Sequence, residues 1–140
     1  MVFFLDTNVI LDFLLERIPF DEAANEIFDL AENKEISLFT STHAVATCHY
    51  FGKKNFSEEK IRTTLYKLLD LISIISVDEE ILKKSLKSHH KDFEDAIQIF
   101  CAHKIENLDA IVTRNLKDFS TSEIQVFAPE NALDYIKNKK

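Results

Sequence analysis

Short apolar runs alternate along this chain with longer segments of helical periodicity, and this alternation constrains the fold more than any other feature. The first run is "VFFL" at 2–5, and the later ones are "ISLF" at 36–39, "ISIIS" at 72–76, "AIVT" at 110–113 and "IQVF" at 124–127. Strands that alternate with helices favour a mainly parallel sheet covered by helices on both faces. We therefore predict an α/β fold with four to five strands.

Composition supports a single domain over residues 1–140. Hydrophobic residues make up 46% of the chain, which contains only one glycine and two prolines. A real core and short connections between helices are therefore expected. The formal net charge of −7 argues against loose electrostatic binding to nucleic acid. It does not exclude a nucleic-acid enzyme whose acids are gathered in one metal site.

Capping residues and prolines predict where the helices begin and end. A helix over 8–18 should end at Pro19, and the next, over 20–34, should have Asp21 as its N-cap. A third should span 41–53. Ser57, Asp78 and Asp92 should each open a further helix, and Pro129 suits the first turn of the last one.

The two cysteines, Cys48 and Cys101, indicate reduced thiols in a cytoplasmic protein. No apolar run reaches the length of a membrane span, and the first residues do not resemble a signal peptide. "CH" at 48–49 and "CAH" at 101–103 lack the usual zinc-ligand spacing. We expect neither a zinc site nor a membrane partner.

Four acids should meet at the carboxyl edge of the sheet, where parallel sheets bind ligands. Asp6 follows the first strand, Asp92 and Asp95 lie in the first turn of the helix before the fourth, and Asp118 follows the fourth. Asp92 and Asp95, three residues apart, share a helix face, whereas Glu94 should point elsewhere. Taken singly, each acid could be an ordinary cap or turn residue.

Convergence changes the interpretation, because gathered carboxylates repel one another. At 4 Å the repulsion is about 1 kcal/mol in water and about 4 kcal/mol at an effective dielectric constant of 20. Such a cluster needs a cation or shifted pKa values. All-oxygen ligands suit Mg²⁺ or Mn²⁺ better than Zn²⁺. These ions promote hydrolysis of phosphodiesters, so the pattern predicts a metal-dependent nuclease.

Three segments, "FFLDTNVILDFLL", "DFEDAIQIFCA" and "IVTRNLKDF", resemble in their order and separation the PIN-domain proteins, in particular VapC-like toxins. The resemblance implies a three-layer α/β/α sandwich, an Mg²⁺- or Mn²⁺-dependent endoribonuclease, a homodimer and a small antitoxin partner. It implies that the catalytic and metal-binding acids are Asp6, Asp95 and Asp118, with Asp92 beside them. It further implies that Asn8 orients the first acid and that Thr113 and Asn115 line the site.

One position departs from the family pattern. The helix after the second strand carries a Glu in most members, and the expected position here falls near Thr47 in "STHAVATCHYFGKK". Asp92 could substitute for the missing carboxylate, or a water held by Thr47 could do so. The alternative is a catalytically weak or inactive PIN fold that acts as a protein- or RNA-binding module.

An RNA substrate also requires basic groups near the acidic edge. Six cations lie near helix or strand ends that adjoin the predicted crevice: Arg17, Lys53, Lys54, Lys91, Arg114 and Lys117. Single-stranded RNA would suit such a site better than a duplex.

A third class, the phosphoacceptor receiver domain, requires an acid after its third strand, for which Asp78 could serve. It also requires a lysine after the fifth strand, and none follows Phe127 at the right place.

Overall fold

Five parallel strands form the centre of the molecule in a computed structural model, which describes residues 1–139. The spatial order is β3-β2-β1-β4-β5. The strands are β1 (Val2–Leu5), β2 (Ser37–Ser41), β3 (Ile72–Ile75), β4 (Ala110–Val112) and β5 (Val126–Phe127). The predicted parallel sheet is confirmed. β2 runs two residues further than predicted, to Ser41, and β5 is two residues shorter.

Within the described residues, seven helices connect and flank these strands. They are α1 (Thr7–Leu14), α2 (Asp21–Glu32), α3 (Thr42–Gly52), α4 (Glu58–Leu68), α5 (Glu79–Lys87), α6 (Phe93–Ala102) and α7 (Pro129–Lys139). Ser57, Asp78 and Asp92 each accept a hydrogen bond from a backbone N–H in the first turn of the helix that follows, as predicted. The predicted N-cap at Asp21 is wrong, because Asp21 is already helical and follows Phe20.

The first helix is shorter than predicted, and Pro19 does not end it. α1 stops at Leu14, and Glu16 then adopts a left-handed backbone with φ of 51°. The N–H of Arg17 donates to the carbonyl of Asp12 at 3.1 Å, which closes a turn outside the helix. Arg17 therefore belongs to a loop, and its side chain does not lie on the face of α1 that the helical spacing predicts.

The core lies in two layers, one on each face of the sheet. Successive side chains of β1 point to opposite faces, so Phe3 and Leu5 pack into one cluster and Phe4 into the other. The first cluster includes residues of α1, α2, α4 and α7, and the second includes residues of α5 and α6. This arrangement confirms the three-layer α/β/α sandwich.

The central position of β1 locates the ligand crevice. β1 pairs with β2 on one side and with β4 on the other, so the strand order reverses between β1 and β4. In open parallel sheets ligands bind outside the carboxyl ends of strands at such a reversal. Asp6 and Thr113 directly follow these two strands. Within residues 1–139, no helix is long and apolar enough to cross a membrane.

Candidate metal and nucleic-acid site

Asp6 is the most deeply buried acid of the crevice, with 6% of its surface exposed. Its Oδ1 accepts hydrogen bonds from the backbone N–H of Thr7 at 2.8 Å and from Nε2 of Gln98 at 3.2 Å. Its Oδ2 accepts from the Thr113 hydroxyl at 2.8 Å. Burial raises the pKa of Asp6, while the bonds from Thr113 and Gln98 oppose that rise. All three donors are neutral, so they orient the carboxylate without cancelling its charge.

Gln98 ties Asp6 to a second strand end. Its Oε1 accepts from the Ser41 hydroxyl at 2.5 Å, and the same Ser41 oxygen caps α3 by accepting from the N–H of Ala44. Sequence reasoning missed Gln98, which is 2% exposed in the apolar stripe of α6. The available signal was its position three residues after Asp95, on the same helix face.

Asn8 and Asn115 hold Thr113 in place. The Thr113 hydroxyl oxygen accepts two hydrogen bonds, one from Asn8 Nδ2 at 3.3 Å and one from the backbone N–H of Asn115 at 3.0 Å. The Thr113 proton is thereby directed to Asp6. Asn8 contacts Thr113 rather than Asp6 itself, so it orients the acid at one remove.

A cavity of about 430 Å³ opens in front of these groups, and Asp6, Asn8, Arg17, Thr47, Asp95 and Asn115 are among its lining residues. Asp95 lies in the first turn of α6 and is half-buried. Burial is the largest of the causes that raise the pKa of Asp95 to about 7, and the carboxylates of Asp6, Asp92, Asp118 and Glu94 follow in that order. The shifted pKa expected for gathered carboxylates is therefore present at Asp95.

Asp92 and Asp118 lie beside this cavity rather than in its wall. Both line a smaller cavity of about 150 Å³, together with Lys91 and Lys117. Asp92 Oδ1 accepts from the N–H of Asp95 at 2.9 Å, and Asp118 Oδ2 accepts from Asn115 Nδ2 at 2.6 Å. Asp95 thus lies between a pair of exposed acids and the buried Asp6.

Glu94 lines the larger cavity, so the expectation that it points elsewhere is wrong. Its Oε1 lies 3.2 Å from Nε2 of His43, a residue of α3. Thr47, near which the resemblance places the family's Glu, also lines this cavity and donates its hydroxyl proton to the carbonyl of His43 at 2.9 Å. The α3 side of the cavity therefore has a carboxylate, supplied by α6.

The six predicted cations lie in four places. Arg17 lines the larger cavity, and Lys91 and Lys117 line the smaller one. Lys53 and Lys54 follow α3, with their Nζ atoms 5.5 Å and 4.8 Å from the centre of the exposed Tyr50 ring. Arg114 is bound to Asp12 and is not among the described residues that line either cavity.

The donor set fits Mg²⁺ or Mn²⁺. Mg²⁺ is bound through one or two carboxylates while it keeps several waters for substrate phosphates. Asp6 and Asp95 supply two carboxylates to one cavity, and Asn115 adds a neutral oxygen. Within residues 1–139, no three His, Cys, Asp or Glu side chains form a ready metal-binding group. The fit to Mg²⁺ or Mn²⁺ therefore rests on the carboxylates of Asp6 and Asp95.

Comparison with known proteins identifies the family. The family model for the PIN domain matches residues 2–117, whereas no curated protein matches the chain. Among solved structures, a toxin–antitoxin complex from Klebsiella pneumoniae is 24% identical, with a TM-score of 0.65 and coverage of 90% of this chain and 96% of that one. VapC20 from Mycobacterium tuberculosis, described as a sarcin–ricin loop cleaving toxin, is 13% identical, with a TM-score of 0.64 and coverage of 87% and 95%.

A third structure, VapBC2 from Rickettsia felis bound to a promoter DNA fragment, is 20% identical, with a TM-score of 0.62 and coverage of 91% and 97%. At these identities the structural likeness concerns the fold, and the match of the family model concerns the chain itself. The match spans both strand ends that carry the site, from Asp6 to Asn115. This chain therefore belongs to the PIN-domain family.

Proposed function

We propose that this protein is a metal-dependent endoribonuclease and the toxin of a type II toxin–antitoxin pair. The observation that carries the proposal is the state of Asp6, a buried carboxylate with only neutral donors in the wall of an open cavity that it shares with Asp95. A buried anion without a countercharge is costly unless a cation comes to it. Family membership supports nuclease chemistry for such a site.

Asp6 and Asp95 would hold Mg²⁺ or Mn²⁺, with Asp118 and Asp92 completing the acidic surface beside them. An ion held there would supply an activated water and would neutralise charge on the scissile phosphate. Thr113 and Gln98 fix the direction of the Asp6 lone pairs, and Asn8 fixes Thr113. Ligands held in this way need little reorganisation when an ion arrives.

Glu94 takes the place of the carboxylate that α3 lacks. It lines the same cavity as Thr47, and its contact with His43 holds it toward α3. The Thr47 hydroxyl donates its hydrogen bond to a backbone carbonyl, so only the lone pairs of its oxygen are available to a ligand. We assign Glu94 to the outer coordination of the metal or its waters, a role that a carboxylate fills better than a hydroxyl.

The substrate would be single-stranded RNA, with phosphates contacting the cations beside the acidic cavity. Arg17 lies in the larger cavity, and Lys91 and Lys117 lie in the smaller one. Lys53, Lys54 and Arg114 remain weaker candidates. The partners in this proposal are RNA, a second copy in a homodimer, and a cognate antitoxin. The Klebsiella pneumoniae neighbour is itself a toxin–antitoxin complex, which supports the last of these. The proposed location is the cytoplasm.

The test compares the wild-type protein with Asp6→Asn in thermal melts and RNA cleavage. Mn²⁺ should raise the melting temperature of the wild type and support cleavage of a single-stranded RNA pool. Asp6→Asn should lose most of that thermal shift and cleave roughly 100- to 1,000-fold more slowly, because metal stabilisation of a transition state is worth several kcal/mol. Asp70→Asn, an exposed acid before β3, is the matched control. Equal cleavage by Asp6→Asn and the wild type would refute the proposal.

A catalytically weak or inactive binding module is the second candidate, because α3 has no acid near Thr47, where the family's Glu is expected. It predicts no cleavage of any RNA in the pool at saturating Mn²⁺. It also predicts that the protein still forms a stable dimer or antitoxin complex. Size-exclusion chromatography with light scattering, run beside the cleavage assay, separates the two candidates.

A further inference from the structure

Asp12 is a fully buried carboxylate that serves two arginines. Its Oδ2 accepts from Nε of Arg114 at 2.6 Å, and its Oδ1 accepts from Nη2 of the same arginine at 3.1 Å. Nη1 of Arg17 lies 3.7 Å from Oδ1. Asp12 itself is 0% exposed. One negative charge is thus shared by two guanidinium groups, and a net positive charge remains.

The two arginines differ in what they leave available. Arg114 uses the Nε–Nη2 edge of its guanidinium on Asp12, and its Cζ lies 3.8 Å from the centre of the Phe20 ring. Its backbone N–H also donates to Asn8 Oδ1 at 3.3 Å. Arg17 makes one long contact to Asp12, lines the 430 Å³ cavity and has 36% of its side chain exposed. The excess charge is therefore presented by Arg17.

Three hydrogen bonds hold the backbone of Arg17. Its N–H donates to the carbonyl of Asp12 at 3.1 Å, and its own carbonyl accepts from the N–H groups of Phe20 and Asp21, both at 2.8 Å. A guanidinium with a fixed base pays little entropy when it binds a ligand. Its planar fork matches the oxygens of a phosphate.

We propose that Arg17 binds an RNA phosphate in the acidic cavity, and that Asp12 is the positioning residue that holds Arg17 there. This inference rests on the proposed ribonuclease function. Arg17 lines the cavity together with Asp6 and Asp95. A phosphate there meets a guanidinium on one side and the carboxylates on the other. Arg114 acts in this scheme as the anchor that keeps Asp12 in place.

The first experiment compares Arg17→Gln with Arg62→Gln. Arg62 is the matched control, because it lies on the exposed face of α4, where it forms a salt bridge with Glu58. Both are made in an Asp95→Asn background and titrated with fluorescent single-stranded RNA at several salt concentrations. Because one charge-assisted hydrogen bond is lost, Arg17→Gln should bind the RNA roughly tenfold more weakly than its parent. The slope of log affinity against log salt should fall by about 0.7. Arg62→Gln should match its parent in both.

The second experiment tests the positioning role with Asp12→Asn in the otherwise active enzyme. KM should rise several-fold and kcat should change little, because Asp12 touches no reacting group. Adding Asp12→Asn to Arg17→Gln should raise KM no further, a non-additivity that a purely structural role would not produce. If Asp12→Asn fails to fold, Asp12→Glu keeps the charge, displaces the arginine and should raise KM in the same way.

Two readouts distinguish failure of this inference from failure of the proposed function. Wild type that neither binds Mn²⁺ nor cleaves RNA refutes the ribonuclease itself. Wild type that does both, with Arg17→Gln as tight and as salt-dependent as Arg62→Gln, refutes the phosphate contact alone. Additive effects of Asp12→Asn and Arg17→Gln on KM refute the positioning role.

Discussion

The two ends of α1 carry two buried aspartates with opposite kinds of partner. Asp6, at the amino end, accepts hydrogen bonds from an amide N–H, a side-chain amide and a hydroxyl, all of them neutral. Asp12, near the carboxyl end, is paired with the guanidinium groups of Arg114 and Arg17. Both are nearly inaccessible, at 6% and 0% exposure. Burial alone therefore does not reveal what either acid does.

The difference lies in whether the field of the carboxylate is cancelled. Neutral donors stabilise an anion but leave its charge uncompensated, so an external cation still gains from approaching Asp6. Asp12 is already compensated inside the protein, and a cation would gain nothing there. The comparison suggests a general criterion for buried acids. An acid with charged partners holds structure together, and one with neutral partners beside a cavity is prepared for a ligand.

The sharpest way to break this comparison is to neutralise each acid in turn with an isosteric amide. Asp12→Asn leaves the Arg114 charge partly buried without its partner. It should cost about 3 kcal/mol of unfolding free energy and lower the melting temperature on the order of 10 °C. Asp6→Asn should stay within about 1 kcal/mol of the wild type, because Asn is as good an N-cap as Asp. Thermal melts in EDTA measure both.

Similar losses in the two variants would end the distinction between the acids. A large loss in Asp6→Asn alone would show that its neutral donors require the charge for structure.

A smaller effect should appear in the pH dependence of stability. In the metal-free protein the pKa of Asp95 is raised by burial and by its acidic neighbours to about 7, against an ordinary value of 3.8. Between these values the folded state binds more protons than the unfolded state, so stability falls as pH rises from about 4 to about 7. Asp95→Asn should flatten that fall. At pH 8 it should be roughly 1 kcal/mol more stable, after allowance for solvent screening.

The measurement is urea denaturation across that pH range in EDTA, with Asp70→Asn as the control. Saturating Mn²⁺ should restore the stability of the wild type at pH 8 and leave Asp95→Asn unchanged. A steeper pH dependence in Asp95→Asn than in the wild type would contradict the electrostatic account.

An effect on metal binding rather than on folding concerns the carboxylate that α3 lacks. Glu94→Gln should weaken Mn²⁺ binding by roughly tenfold, the lower end of what outer ligands contribute. Thr47→Glu in that background should recover part of the loss, because position 47 lines the same cavity. Glu106→Gln, an exposed acid before β4 at the opposite sheet edge, serves as the control. Calorimetric titration with Mn²⁺ gives the affinities, and unchanged binding in Glu94→Gln would remove Glu94 from the site.

Local features were predictable from the sequence, and features that depend on side-chain direction were not. Ser57, Asp78 and Asp92 were recognised as caps because a cap acts within three residues of itself. The end of α1 was placed too late, since the turn that stops it depends on a left-handed Glu16. The residue type predicts a left-handed conformation reliably only for glycine, and residue 16 is a glutamate.

The acids of the site were predictable as a group because strand order and helix direction follow from the alternation of elements. The direction of Glu94 was not, because its contact with His43 joins α6 to α3 across the crevice. Gln98 escaped notice because it is neutral. The partner of Asp12 could not be found either, since Arg114 lies 102 residues along the chain. Long-range pairing of this kind leaves no periodic trace.

The hydrogen bond from Thr113 to Asp6 also dictates an order of assembly during synthesis. It joins residues 107 positions apart, and β4 must insert beside β1 before it can form. A growing polypeptide that has emerged only as far as β3 holds Asp6 without Thr113, Gln98 or Asp95. Contacts so distant in sequence require the closure of a long loop, which slows folding. A chain that has emerged only as far as β3 therefore lacks part of the site, and any activity of the acidic cavity requires synthesis through β4.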